Sequence, residues 1–148
     1  TRTGMNSFLN WLSSNTCAAI AETEVVPYPT ESLKLLKKEP DFIIERGKEM
    51  FYELLMEIKP RLFILHGKGT IEYFDEILTE RRVIPSKSIC LDKTIEDIEK
   101  QLPLYRFKYQ NGKIATIMAY RHFMYYGIKG ESFKSFRENI LKVLKDNI

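Results

Sequence analysis

The chain has 148 residues, 23 Lys and Arg against 20 Asp and Glu, and a formal net charge of +3, which suits one domain with a real hydrophobic core. A 44% hydrophobic share with only 7 Gly and 6 Pro excludes disordered, collagen-like and low-complexity chains. Two cysteines, Cys17 and Cys90, are too few for a disulfide scaffold or a four-ligand zinc site, and no apolar run nears the roughly 18 residues of a membrane span.

Residues 4–12 show a short helical pattern, with Phe8, Leu9, Trp11 and Leu12 as its apolar stripe. Residues 17–26 are an apolar, β-branched run stopped by Pro27 and Pro29, and predict a strand. Thr30 or Ser32 can cap the next helix over 33–38. A long helix is predicted over 40–59, with Pro40 in its first turn, apolar positions at Ile43, Ile44, Phe51, Leu54, Leu55 and Ile58, and Pro60 as its stop. Its acidic row, Glu45, Glu49, Glu53 and Glu57, reads as a solvated face. Leu62, Phe63, Ile64 and Leu65 form a continuous apolar strand of the kind buried on both faces of a parallel sheet.

Gly67-Lys68-Gly69-Thr70 turns that strand directly into a helix over 71–78. A short strand is predicted over 82–84, ended by Pro85, and Thr94 caps a helix running to Gln101. Residues 104–109 and 113–120 flank Gln110-Asn111-Gly112, a hairpin signal because Asn-Gly suits positive φ. Ser132 is expected to cap a closing amphipathic helix over 133–147, with Phe133, Phe136, Ile140, Leu141, Val143 and Leu144 facing inward. Strands alternating with helices predict an α/β fold: a three-layer sandwich with a mostly parallel central sheet and helices on both faces. Ligands of such folds sit at the carboxyl ends of the strands. That rule points to residues 26–30, 66–70 and 120–127.

The charge is uneven. Residues 1–74 hold 9 basic and 10 acidic side chains, whereas the 45 residues from Leu104 hold 9 basic, 3 acidic and nine of the eighteen aromatics. Cations meet phosphates and rings stack on bases, so this mixture suits nucleic-acid contact; it equally suits a solvated basic helix beside a core strand. There is no Gly-x-Gly-x-x-Gly, no complete phosphate loop and no Gly-x-Ser-x-Gly elbow. His66 and His122 have no partner at metal spacing, so neither a metal nor a cofactor is expected. The start, Thr1-Arg2-Thr3-Gly4-Met5, has no apolar signal segment, and with the cysteine usage it suggests a cytoplasmic, reducing setting.

Two stretches carry a family resemblance. Glu22-Thr23-Glu24-Val25-Val26-Pro27-Tyr28-Pro29-Thr30, then Glu57-Ile58-Lys59-Pro60-Arg61-Leu62-Phe63-Ile64-Leu65-His66-Gly67-Lys68, resemble the uracil-DNA glycosylase superfamily. There a strand ending in a Thr-Asn-like pair enters a Pro-containing loop. A Lys-Pro opens a later apolar strand followed by Gly-Lys or Gly-Ser, and a final strand ends in a His-containing loop that enters the DNA minor groove. Arg121-His122-Phe123 stands in that last place.

The resemblance covers roughly residues 15–146. It implies DNA as partner and hydrolysis of the N-glycosidic bond of a flipped base as activity. It assigns His122 the catalytic place, facing the base carbonyl oxygen, and Glu24 the base-reading place of an Asn. A carboxylate only accepts hydrogen bonds, so Glu24 departs from the amide's pairing with uracil. Pro27, Tyr28, Thr30, Gly67, Lys68, Arg121, Phe123 and Tyr125 fall on the DNA-binding loops, and Phe123, Met124, Tyr125 or Tyr126 is the candidate wedge beside a flipped base.

The family's water-activating loop lies upstream of the first matched strand, and residues 1–16 hold no such loop. The expectation is one glycosylase-like domain over 1–148 lacking its N-terminal part. The alternative is a non-catalytic nucleic-acid or small-ligand binding module on the same fold. Each residue also has a structural role open to it: His66 as a strand-end histidine, Glu24 in an ion pair, Arg121 and Lys68 in solvent, and the tyrosines in packing.

Overall fold

The computed structural model describes residues 2–26, 32–85 and 93–146. Its first helix, α1 (Arg2–Asn15), buries Met5, Phe8 and Leu12, whose spacings of three and four hold one face together. Gly4 shares that face. A Cβ built on Gly4 would stand 2.0 Å from the carbonyl oxygen of Phe123, so the missing side chain lets α1 lie directly on the loop that follows the last strand. Phe8 stacks on Phe123 with ring centroids 4.5 Å apart and also on Trp11 at 5.9 Å.

The helix α2 (Leu33–Leu36) is a single turn, met at its start by Ser32, whose Oγ accepts from the Leu35 N–H at 3.3 Å. The long helix α3 (Asp41–Ile58) starts right after Pro40 and ends where Lys59 adopts φ 48° and donates its N–H to the Leu55 carbonyl. It buries Gly47, Lys48, Phe51 and Leu55, while Leu54 and Ile58 remain 38% and 49% exposed. Buried Lys48 bridges to α4 (Lys68–Glu80): its Nζ lies 2.9 Å from Glu45, 3.0 Å from Glu76 and 3.7 Å from Glu80. Those carboxylates outweigh the burial and hold its pKa above the usual lysine value.

Strand β1 (Leu62–His66) pairs in parallel with β3 (Ile114–Tyr120), from Leu62 opposite Thr116 to His66 opposite Tyr120. Strand β2 (Tyr105–Lys108) pairs antiparallel with the other side of β3, through the expected Asn111-Gly112 turn, in which Gly112 has φ 85°. The order is β1-β3-β2.

This corrects the expected three-layer sandwich with a mostly parallel central sheet. Among the described residues the sheet has three strands, with one parallel and one antiparallel pairing, in a mainly helical α/β arrangement. Two expected strands are missing. Residues 17–26 form no strand, and no main-chain hydrogen bond ties them to another described residue's backbone. Residues 82–84 instead close α4: Arg82 takes φ 56°, and the N–H groups of Val83 and Ile84 both return to the Leu78 carbonyl. Satisfying helix-end carbonyls competes with strand formation there.

The short helix α5 (Ile95–Glu99) is capped by Thr94 as expected, its Oγ1 accepting from the Asp97 N–H at 3.3 Å. Ser132 does not act as the cap of the closing helix α6 (Lys134–Asp146). Its hydroxyl donates to the Tyr125 carbonyl at 2.9 Å, and a 3₁₀ turn over Glu131–Phe133, entered through Gly130, precedes the helix.

Two apolar clusters flank the parallel pair. Phe51, Leu55, Leu65, Ile71, Phe74 and Ile117 belong to one, with Phe63 against it. Met5, Phe8, Leu12, Met118, Phe133 and Phe136 belong to the other, with Leu62 and Ile64 against it. Among the described residues no helix is long and apolar enough to cross a membrane.

Gly4→Ala is expected to destabilise the fold by about 1–3 kcal/mol, because the added methyl meets a main-chain oxygen rather than a flexible side chain. Chemical denaturation of the two proteins checks this; an unchanged midpoint would show that α1 does not depend on that close approach.

Candidate functional site

The chain leaves β1 at His66 and turns at once into α4. Gly67 makes this possible with φ 85°, a conformation costly for other residues. Its N–H donates to the Tyr120 carbonyl at 3.0 Å, holding the exits of β1 and β3 side by side. His122 follows two residues after β3. The rings of His66 and His122 therefore meet edge to face, with centroids 5.0 Å apart. A Cβ on Gly67 would lie 3.5 Å from His122 Cδ2, so the turn and the second imidazole are also in contact range.

The two rings are held differently. His122 caps the 3₁₀ turn Phe123–Tyr125: its Nδ1 accepts from the Met124 N–H at 3.3 Å. A neutral imidazole accepting at Nδ1 carries its proton on Nε2, so His122 offers an N–H donor. Burial lowers its pKa, and the carboxylate of Glu24 opposes the shift. His66 packs on Phe123 at 5.0 Å, and its buried Nδ1 has no hydrogen-bond partner among the described residues. Burial, then the neighbouring His122, pushes its pKa down to about 4, with Glu22 acting in the opposite direction. Both histidines are thus neutral near pH 7.

Around this corner the DNA-loop candidates divide. Gly67, Lys68, His122 and, through its field, Glu24 come together. Lys68 is exposed, 3.9 Å from Glu72. Arg121 is committed elsewhere: its guanidinium grips Glu99 with both arms, Nε at 2.6 Å, while its own N–H donates to the same carboxylate at 3.0 Å. Phe123 is 1% exposed, inside the aromatic cluster, and Tyr126 is likewise buried. Met124, Tyr125 and Ile128 project instead, 56%, 60% and 83% exposed, with Lys129 beside them. Pro27, Tyr28 and Thr30 lie outside the described residues.

Glu99 and Glu22 were not legible as site neighbours. Glu99 meets Arg121 across 22 positions, a separation that no local spacing encodes. Glu22 pairs with Arg2 at 2.8 Å, so the first turn of α1 also reaches this corner's rim. A cavity of about 430 Å³ opens from His66 and Thr70 along β1. Among the described residues no three metal-ligating side chains gather. No family model, curated protein or solved structure matches this chain.

The depressed His66 pKa sets an acid limit. The folded state disfavours the imidazolium, so the unfolded chain binds the extra proton between pH 6.5 and about 4. Stability from this group is full above 6.5 and falls as the pH drops towards 4, by something on the order of 3 kcal/mol. His66→Phe is expected to flatten that part of the profile. Urea unfolding of both proteins at several pH values across the window measures it, and parallel profiles would contradict a buried neutral His66.

Proposed function

We propose that this chain is a nucleic-acid-binding module of the uracil-DNA glycosylase-like kind, receiving an unstacked base at the His66–His122 corner. The observation that carries the reading is the meeting of the two imidazoles at the carboxyl ends of the parallel pair, 5.0 Å apart, although 55 residues of chain separate them. The protruding Met124, Tyr125 and Ile128 support it, since exposed apolar side chains beside Lys129 can enter between bases while the cation meets phosphate. The exposed Lys68, two residues after His66, supplies a second cation.

In this reading His122 donates its Nε2–H to a base carbonyl. In excision, water adds to the sugar carbon and gives its proton to solvent, the glycosidic C–N bond breaks with its electrons going to the base, this donor stabilises the resulting anion, and the base takes up a proton from solvent as it leaves. Glu24, as a carboxylate, favours a base edge that presents an N–H or amino group. Tyr125, not buried Phe123, is the stacking residue.

Fluorescence titration with single- and double-stranded oligonucleotides at rising salt tests the binding. A Kd of roughly 1–100 µM near physiological salt is expected, with a negative slope of log affinity against log salt. Lys68→Ala is expected to reduce that slope by about 1, and Tyr125→Ala to weaken single-strand binding by about 1–3 kcal/mol without changing the slope. A flat salt response, or affinity indifferent to both changes, would remove the reading. Abasic-site formation on uracil- and cytosine-containing strands, lost in His122→Ala, separates a hydrolase from a module that only binds.

A further inference from the structure

Among the described residues, strand β1 is paired along only one of its two edges. The Arg61 carbonyl accepts from Thr116 at 2.8 Å and the Gly67 N–H donates to Tyr120 at 3.0 Å. Strand alternation puts the main-chain groups of Phe63 and Leu65 on that same side, and those of Leu62, Ile64 and His66 on the other. None of the latter three bonds to a described residue's main chain outside the pairing with β3. Native edges are usually blunted by Lys, Pro or a bulge. Residues 62–65, Leu-Phe-Ile-Leu, carry none of these, and Leu62, Phe63 and Ile64 stay only half-buried.

The cavity that begins at His66 follows this free edge for all five residues of β1. Residues 18–25 also line it, and their main-chain groups form no hydrogen bond with another described residue's backbone. Phe51, Leu55 and Ile58 of α3 close it on one side of β1, and Met5, Leu9 and Leu12 of α1 on the other. The space therefore lies in the plane of the sheet, between two helical layers, with an unpaired strand along one wall. A small apolar ligand would cover the side chains but leave alternate donors and acceptors, roughly 6.6 Å apart, unmatched. An extended polypeptide matches both.

We propose that this slot takes up an apolar β-strand from outside these 148 residues, which adds to the free edge of β1 by main-chain hydrogen bonding. The strand is uncharged along its centre, because the cavity walls beside β1 are aliphatic and aromatic from both layers. Residues 27–31 cannot supply it, since Pro27 and Pro29 lack the N–H that such pairing needs. Residues 86–92 offer only Ile89, Cys90 and Leu91 between charged and hydroxyl residues.

The test is a fluorescence-anisotropy titration of the intact chain with a dye-labelled peptide, a Val-Ile-Val-Ile-Val centre flanked by lysines, read alongside amide hydrogen exchange. Saturable binding is expected, with the amides of Leu62, Ile64 and His66 becoming protected. N-methylation of alternate peptide amides should weaken binding at least about tenfold. Ile64→Pro, which removes a slot-facing N–H at a tolerated edge position, should do the same. Ile58→Glu provides a variant that changes a half-exposed side chain and charges the slot wall without touching the core. Circular dichroism establishes that both variants fold.

Absence of saturable binding, or binding indifferent to N-methylation and to both variants, would overturn the proposal. So would protection of the three amides before peptide is added, which would mean that residues 18–25 already close the edge. Protection that appears with self-association of the protein, followed by sedimentation, would assign the edge to a second copy and equally overturn it.

Discussion

The parallel pairing of β1 with β3 is the constraint on which the rest of this structure depends. It joins residues 62–66 to 116–120 across more than a third of the chain, and the Gly67 N–H bond to Tyr120 completes it at its carboxyl end. Both apolar clusters rest on this pair, one against each face. The same pairing sets the register of the two strand exits. His66 and His122 meet only because His66 lies opposite Tyr120 and each strand turns away immediately afterwards. A slip by one residue would turn the side chains of β1 to the other face and separate the imidazoles.

Local patterns were enough for much of this. The helices were visible in the apolar stripe of Phe8, Leu9, Trp11 and Leu12, in the spacing of Phe51, Leu54, Leu55 and Ile58, in Pro40 at a helix start and in the cap at Thr94, whereas Met5, buried with Phe8 and Leu12, was missed. The hairpin was visible in Asn111-Gly112. What misled was apolar content without its partner. Residues 17–26 and 82–84 look like strands because strand preference is mostly a record of what a residue packs against. Val83 and Ile84 found the end of α4, and residues 17–26 found no pairing edge among the described residues. The mostly parallel sheet expected from the alternation failed with those two segments.

At the corner, the sequence drew attention to His66, Gly67, Lys68 and His122 through the rule that ligands meet strand ends. It could not rank the aromatics after His122, since burial is a property of the whole fold: Phe123 and Tyr126 turn inward and Met124 and Tyr125 outward. Nor could it foresee that Arg121 would be engaged by Glu99 from α5. A guanidinium held by a carboxylate that is itself nearly buried anchors α5 to the end of β3, and this pair is structural in the first place.

The contact of α1 with the histidine-bearing loop also has an optical consequence. Trp11 is the sole tryptophan of the chain. It stacks on Phe8, which stacks on Phe123, the residue after His122. The Arg137 guanidinium lies 5.3 Å from its ring and also reaches the Tyr126 hydroxyl at 3.3 Å. The indole thus senses, through one intervening ring and one cation, how the 122–126 loop is seated. The protein carries its own emission reporter for that loop, readable without a label and with no second tryptophan to confuse the signal.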